Sequence, residues 1–391
     1  KWKDEKLVSE IYLDNAATTP MTPEVIAEVT KQMQESWGNA STGYSYGRHA
    51  KLVMEDSRHI LAQSINADDN EIIFTSGGTE SDNTAIIQTA FKRQNLGKHI
   101  ITTAIEHEAV LKPLHFLEEH GFEVTYLPVD ENGNISIDDF KAALRDDTIL
   151  VTIMMENNEV GSQMPIHEIG EILKDHQAWF HTDAVQAYGL LPIDVKADHI
   201  DMLSTSAHKI NGPKMMGFLY RRDGISFPSF IKGGDQETKR RAGTENVPGI
   251  AGFAKAVELN TPEVKEERRD RYYAFKQKIV NALKENNVDF EINGQINKTH
   301  VLNLWFKGIS TYVIQTDLDL AGIAVSGGSA CTAGSIEPSH VLTAMFGADS
   351  SRISESIRIS FGGLNTEEDI DRLIATIVKT VENLKKINED N

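Results

Sequence analysis

One cysteine, Cys331, occurs in 391 residues. A lone thiol cannot close a disulfide within the chain, and it excludes a zinc site built from several cysteines. A reducing, cytoplasmic setting is therefore expected. Nowhere do about 18 apolar residues run together, so no membrane span is expected. The opening KWKDEKLVSE is charged and has no apolar stretch of the kind a secretory signal needs. Positive charge is scarce too: 39 Lys and Arg against 58 Asp and Glu give a net charge of −19. Such a surface lacks the basic stripe that binds nucleic acid directly.

What is present is the make-up of a globular protein, 40% hydrophobic and 25% charged. The length exceeds what one small core organises, so a large and a smaller domain are expected. From about Glu71 to Tyr220, β-branched runs alternate with helical stretches. EIIFTS, KHIITTAIEH, FEVTYLPV, TILVTIMM, WFHTDA, DMLSTSAH and MGFLYRR read as seven strands. Segments such as Glu80 to Gln94 and Ile166 to His176 are long enough for crossover helices. The pattern predicts an α/β domain whose seven-stranded, mainly parallel sheet lies between helices. A charged stretch from about Pro262 to Asn286, sparse in apolar residues, reads as a helix bridging two domains. HVLNLWF, SIRISFG and a closing amphipathic helix from Thr366 then form a smaller α+β unit. The expected large domain spans 18–259, and 1–17 with 260–391 make the small one.

The chemistry gathers at strand ends. TSGGTESDNTA sets Gly77, Gly78 and Thr79 between a strand and a helix, where free N–H groups favour a phosphate. HTDAVQ ends a strand with Asp183 and places Gln186 three residues later. SAHKINGPK ends another with Lys209, flanked by Ser206 and His208; IEHEAV ends an earlier one with His107, and ENNEVG adds Asn157 and Asn158. Taken singly, each is most simply a turn, a helix cap or a surface charge. Together they place a phosphate cradle, a carboxylate, an amine and an imidazole at one sheet edge, where ligands of such sheets bind. Pyridoxal 5'-phosphate requires that inventory: a phosphate site, a carboxylate for the pyridine nitrogen and an amine to condense with the aldehyde. Histidines 107, 181 and 208 lack the i, i+4 spacing of a zinc helix, so no metal is expected.

YLDNAATTP, FTSGGTESDN, EHEAV, NNEVG, HTDAVQ, SAHKINGPK, RAGTENVPG, GGSACTAG and IRISFG follow one another from about residue 11 to 363. The chain thereby resembles the class I cysteine desulfurases, fold-type I pyridoxal-phosphate enzymes of iron–sulfur cluster assembly and tRNA thiolation. The resemblance implies that Lys209 carries the cofactor, that Asp183 pairs with its ring nitrogen and that Gln186 bonds its ring oxygen. His107 would stack on the ring and assist proton transfer. Gly78, Thr79, Ser206 and His208 would hold the phosphate, with Thr244 reaching in from the second subunit of a homodimer. Asn158 and Arg358 would grip the carboxylate of L-cysteine; a guanidinium forks onto a carboxylate through two parallel hydrogen bonds.

Cys331 lies in SGGSACTAGS, among glycines and small residues rather than the large apolar neighbours of a packed cysteine. A thiol there is expected to swing between the cofactor and an outside acceptor. The thiolate must do the attacking, which calls for a local base, and His107 is the expected one. Lys209 would move a proton from the substrate Cα, and Cys331 would take the sulfur as a persulfide, leaving alanine. WGNASTGYSYG departs from the family pattern by Ala40 and Tyr44 in place of a proline and a histidine. The end of the chain, VENLKKINEDN, is expected to lack the tail that some members use to dock a cluster scaffold. The sulfur acceptor is thus either a cluster scaffold or a tRNA-thiolating enzyme. A selenocysteine lyase or an aminotransferase on the same fold, and a non-catalytic sulfur-trafficking protein, are the rival readings.

Overall fold

The β-branched runs and the segments between them fold as alternating strands and helices. A computed structural model describes residues 11–327 and 338–389, the last five by backbone alone; Cys331 lies outside the described residues. Strand β1 (Ile11–Tyr12) leads to helices α1 (Pro23–Glu35) and α2 (Ser45–Gln63). There follow β2 (Ile72–Thr75), α3 (Gly78–Arg93), β3 (His99–Thr103), α4 (Glu108–Glu119), β4 (Glu123–Leu127) and α5 (Ile137–Ala143). Next come β5 (Thr148–Thr152), α6 (Ile166–Leu173), β6 (Trp179–Asp183), β7 (Met202–Ser204) and β8 (Gly217–Arg221). A left-handed turn, α7 (Gln236–Lys239), precedes α8 (Val247–Glu258) and α9 (Pro262–Glu285). The chain closes with β9 (Phe290–Asn293), β10 (Val301–Phe306), α10 (Thr311–Leu320), β11 (Ile323–Ala324), α11 (His340–Phe346), β12 (Ser356–Ser360) and α12 (Glu367–Glu389).

The seven expected strands form one sheet in the order β2-β8-β7-β6-β5-β3-β4. Only β8 runs against its neighbours, β2 and β7; every other pair is parallel. Two reversals around β8 leave β2 pointing the same way as β7. The carboxyl ends of β2, β3, β5, β6 and β7 therefore share one edge.

Both faces of this sheet are covered, and the strands show it residue by residue. Ile73, Ile100, Leu150, Met202 and Leu219 enter a core with Ile86 of α3 and Leu114 of α4. Their neighbours Phe74, Ile101, Val151, Leu203 and Phe218 enter the opposite core, with Leu61 of α2 and Phe253 of α8. Successive side chains point to opposite faces, so a strand apolar at every position needs a helical layer on each side. Each such side chain contributes about 1.5–3 kcal/mol when fully buried.

A three-stranded antiparallel sheet, β12-β10-β9, organises a further core. Leu302, Leu304 and Phe306 share it with Phe275 and Ile279 of α9 and with Ile370, Leu373 and Ile377 of α12. Helix α9 is more than the solvated bridge its charges suggest. Tyr272, Phe275, Lys276, Ile279, Val280 and Leu283 are buried along one face, at the 3-4 spacing of an amphipathic helix. Strand β1 pairs in parallel with β11, and the segment after it crosses to the large sheet. Asn15 Nδ2 donates to Ser360 O (3.0 Å), and Thr19 N donates to His208 O (2.9 Å). Residues 11–19 thus bind both sheets and run over the strand ends.

Candidate active site

The turn after β2 is shaped by contact. Gly77 has φ +143°, outside what side-chain-bearing residues readily adopt, and a Cβ on Gly78 would meet Val185 Cγ2 at 2.6 Å. Two glycines therefore let α3 begin hard against the turn after β6. The first-turn N–H groups of a helix have no partner inside it, so those of Gly78 and Thr79 are available to an anion. Ser206 faces the same turn: its hydroxyl would lie 3.4 Å from a Cβ on Gly77, and it caps nothing in the short turn that follows it. His208 Nδ1 pairs with Thr18 Oγ1 (3.0 Å), and burial pushes this imidazole down to about 4, so it is neutral.

Asp183, at the end of β6, is buried and accepts Val185 N–H at 2.8 Å. Burial raises its pKa, while His107 and Lys209 pull the other way. Lys209 sits not on β7 itself but in the short turn Ala207–Lys209 beyond it. Its amine donates to the carbonyl oxygens of Ala16 and Ala17, the latter at 2.9 Å. Burial first, then Arg358, lowers it to about 8. Lys209, Gln186, His300 and Arg268 line a recess open to solvent.

His107 likewise lies past its strand: β3 ends at Thr103, and His107 is the N-cap of α4. Ala109 N–H donates to its Nδ1 at 3.1 Å. The neutral ring then carries its hydrogen on Nε2, and burial favours the neutral form by lowering the pKa. As it stands, His107 presents a donor, not the free lone pair that a base for Cys331 needs. Gln186 spans two partners, donating through Nε2 to Ala16 O (3.1 Å) while its Oε1 meets His300 Nε2 (3.0 Å).

Arg358, on β12, is 4% exposed. It donates through Nη1 to the backbone oxygen of Asn158 (2.9 Å) and through Nη2 to Asp14 Oδ1 (2.8 Å); its Nε has no hydrogen-bond partner among the described residues. Asn157 is structural: its side chain donates to Ile105 O and accepts from the N–H groups of Glu159 and Val160. Thr244 is exposed and lines a separate recess with Thr75 and Ser76. Its loop is tied down by a buried fork in which Arg58 donates to both oxygens of Glu237 (2.8 and 2.7 Å). Arg241 forks onto Glu80 in the first turn of α3 (2.9 and 3.1 Å).

The cluster also includes Asp14, Ala16 and Ala17 of YLDNAATTP, two of which act through backbone carbonyls that no side-chain pattern reveals. Glu156 opens ENNEVG and His300 opens HVLNLWF, but nothing in either stretch says that the two side chains meet. Among the described residues no group of three His, Cys, Asp or Glu could hold a metal, and His181 is fully buried against Thr152 and Ser204.

The pattern of the Aminotransferase class-V family matches residues 11–373. The chain belongs to the class-V aminotransferase family. A Bacillus subtilis (strain 168) relative is 53% identical over 377 residues, covering 95% of this chain and 99% of its own. The cysteine desulfurase IscS of Methanosarcina thermophila is 47% identical over 378 residues, covering 97% of this chain and 93% of its own. A solved NifS-like protein superposes with a TM-score of 0.88 at 34% identity, over 95% of this chain and 99% of its own. Another solved structure, "SspA in complex with cysteine", gives a TM-score of 0.77 at 36% identity, over 90% and 98%.

Class-V aminotransferases of this kind are pyridoxal-phosphate proteins. The donor set fits that group: helix N–H donors and Ser206 around the glycine turn, a buried carboxylate, and a desolvated amine at one sheet edge. In this class-V aminotransferase the phosphate would lie at Gly78, Thr79, Ser206 and His208, the ring nitrogen at Asp183 and the aldehyde at Lys209.

Proposed function

We propose that this protein is a cysteine desulfurase, which takes sulfur from L-cysteine, leaves L-alanine and holds the sulfur on Cys331 for an acceptor. The observation that carries it is the grouping of Lys209 and Asp183 at one sheet edge, with Arg358 of β12 close enough to act on Lys209, in a chain 47% identical to a named cysteine desulfurase. Bound pyridoxal phosphate supplies an electron sink for charge developing at the substrate Cα. Everything else falls to the chain. Arg358 and Asn158 take the substrate carboxylate; a fork onto Nε and Nη2 of Arg358 displaces Asp14. Lys209 moves the Cα proton, and a pKa of about 8 suits it to a base working near neutral pH. Asp183 keeps a proton on the ring nitrogen. His107 donates through Nε2–H. The Cys331 thiolate forms an S–S bond to the substrate sulfur; the C–S bond breaks, its electron pair stays with the substrate carbon, and that carbon is then protonated to alanine.

Cys331→Ser tests this reading. The variant should keep the yellow colour of the loaded protein yet lose alanine formation from cysteine and sulfide release with dithiothreitol. Undiminished alanine formation would overturn the role of Cys331, whereas consumption of a keto acid without release of sulfur would favour the aminotransferase reading, which needs no thiol. The acceptor we assign is a protein of iron–sulfur cluster assembly or tRNA thiolation, met in the reducing cytoplasm that one cysteine suits; faster alanine turnover with one of them identifies it.

The surface around α1 and α2 supports a homodimer. Met33, Trp37, Tyr44, Tyr46 and Leu52 are all at least 56% exposed, with the Trp37 and Tyr46 rings 4.8 Å apart. An apolar patch of this kind marks a contact surface, and Thr244 would then serve the neighbouring site. Light scattering should give twice the chain mass; a stable loaded monomer defeats the shared site.

A further inference from the structure

Gln186 is held in one orientation, and what holds it lies outside the machinery described so far. Its amide has an oxygen end and a nitrogen end, and the Ala16 carbonyl decides which faces where. A backbone carbonyl only accepts, so the amide atom 3.1 Å from Ala16 O must be the NH2 group. The amide oxygen therefore faces His300, whose Nε2 lies 3.0 Å away and must carry a hydrogen to bond it.

The other ring nitrogen settles the rest. His300 Nδ1 stands 3.1 Å from Glu156 Oε1, and Glu156 is 1% exposed with no donor aligned on either oxygen. A bare lone pair facing a buried carboxylate would be repulsive, and an unpaired buried carboxylate is costly. Glu156 fixes the ring by contact at Nδ1 rather than by an aligned hydrogen bond. The remaining charges nearby are Lys276, which acts on Glu156, and Arg268 and Lys209, which line the same recess as His300.

We propose that His300, backed by Glu156, is a positioning residue that locks the Gln186 amide with its NH2 toward the Lys209 site. Behind the Glu156 contact, the chain of hydrogen bonds runs from His300 through Gln186 to Ala16 O, the oxygen that Lys209 also contacts. With one amide hydrogen on Ala16, the second is left for the cofactor ring oxygen. Gln186 then serves that oxygen only as a donor, which favours its anionic form. This assignment rests on the pyridoxal-phosphate reading above.

Two experiments test it, one without cofactor. In the cofactor-free protein, ¹⁵N spectra of the histidine rings should show His300 protonated at Nε2; a ring bare at Nε2 overturns the lock. In the loaded protein, absorbance titration reads the apparent pKa of the visible chromophore. His300→Ala should raise it by ~0.5–1 unit, because a ring oxygen without its donor shares more charge with the neighbouring nitrogen. Cofactor affinity should weaken about 3–10-fold, the loss of one hydrogen bond. His300→Gln, which can still donate to the Gln186 oxygen, should restore most of both. In a Gln186→Ala background, His300→Ala should add nothing. A coloured wild type whose His300→Ala variant keeps the same chromophore pKa overturns this proposal alone, as does a shift that persists without Gln186. A wild type that never becomes coloured overturns the cofactor reading and this one with it.

Discussion

Of the described lysines that burial holds below the usual value, two fall furthest, in two different places, and only one is proposed as a reagent. Lys209 stands at the edge of the large sheet, and Lys276 is fully buried on α9 in the smaller unit. Burial is the main cause of lowering in both, to about 8 and about 7. The lower value belongs to Lys276, which no cation pushes. Depression alone is therefore no sign of chemistry. Lys276 is closed in by three oxygens, each 3.2 Å from its amine: Asn297 O, Asn297 Oδ1 and Thr299 Oγ1. Lys209 rests on two carbonyls and opens onto a recess shared with Gln186. Access and neighbours are what would separate a reagent from a strut.

The sharpest way to break that contrast is to remove each amine. Lys209→Ala should abolish the visible chromophore and lower alanine formation by at least about 10³-fold, since a general acid–base group and the cofactor anchor go together. Lys276→Met keeps the stem and discards the buried charge, so it should keep the colour and leave the rate within about threefold. Absorbance and an alanine assay on both proteins decide it. A colourless Lys276→Met, or a coloured and active Lys209→Ala, would reverse the two roles.

The difference in legibility between the two lysines has the same physical root. Lys209 follows a strand-like run and precedes an Asn-Gly-Pro breaker, so its place beyond a strand end can be read from neighbours in sequence. The sheet is legible for a similar reason, because strands buried on both faces are apolar throughout. Lys276 lies in a helix crowded with charges, and nothing local says that its face turns inward. Contacts that join distant segments were out of reach altogether. Arg358 meets Asp14 across 344 positions and His300 meets Gln186 across 114. The tautomer of His107 is likewise not legible locally, because it depends on the Ala109 N–H that only the helix cap brings to Nδ1.

Arg358 offers a subtler cut, since it is the second cause of the low Lys209 pKa and nothing comparable acts on Lys276. Arg358→Gln should move the midpoint of cofactor uptake by the cofactor-free protein to higher pH, as the cationic push on the amine is removed. Arg358→Lys keeps the charge but not the fork, so the midpoint should hold while KM for cysteine rises about 10–100-fold. An unchanged midpoint in Arg358→Gln would mean that burial alone sets the amine.

The smallest effect separates the lysines by stability rather than rate. Both bases have folded pKa values below the usual 10.5, so between the folded value and 10.5 the unfolded chain binds more protons than the folded one. Stability then rises with pH across that window, which opens near 7 for Lys276 and near 8 for Lys209. Each amine contributes a slope of at most ~1.4 kcal/mol per pH unit. Taking the difference in unfolding free energy between wild type and Lys276→Met cancels the groups they share. That difference should grow in favour of wild type from pH 7 to pH 9. In the cofactor-free protein the matching difference for Lys209→Met should begin its rise about one unit higher. A flat difference for Lys276 would place its amine in water in the native protein, where the three oxygens and the zero exposure leave no room for it.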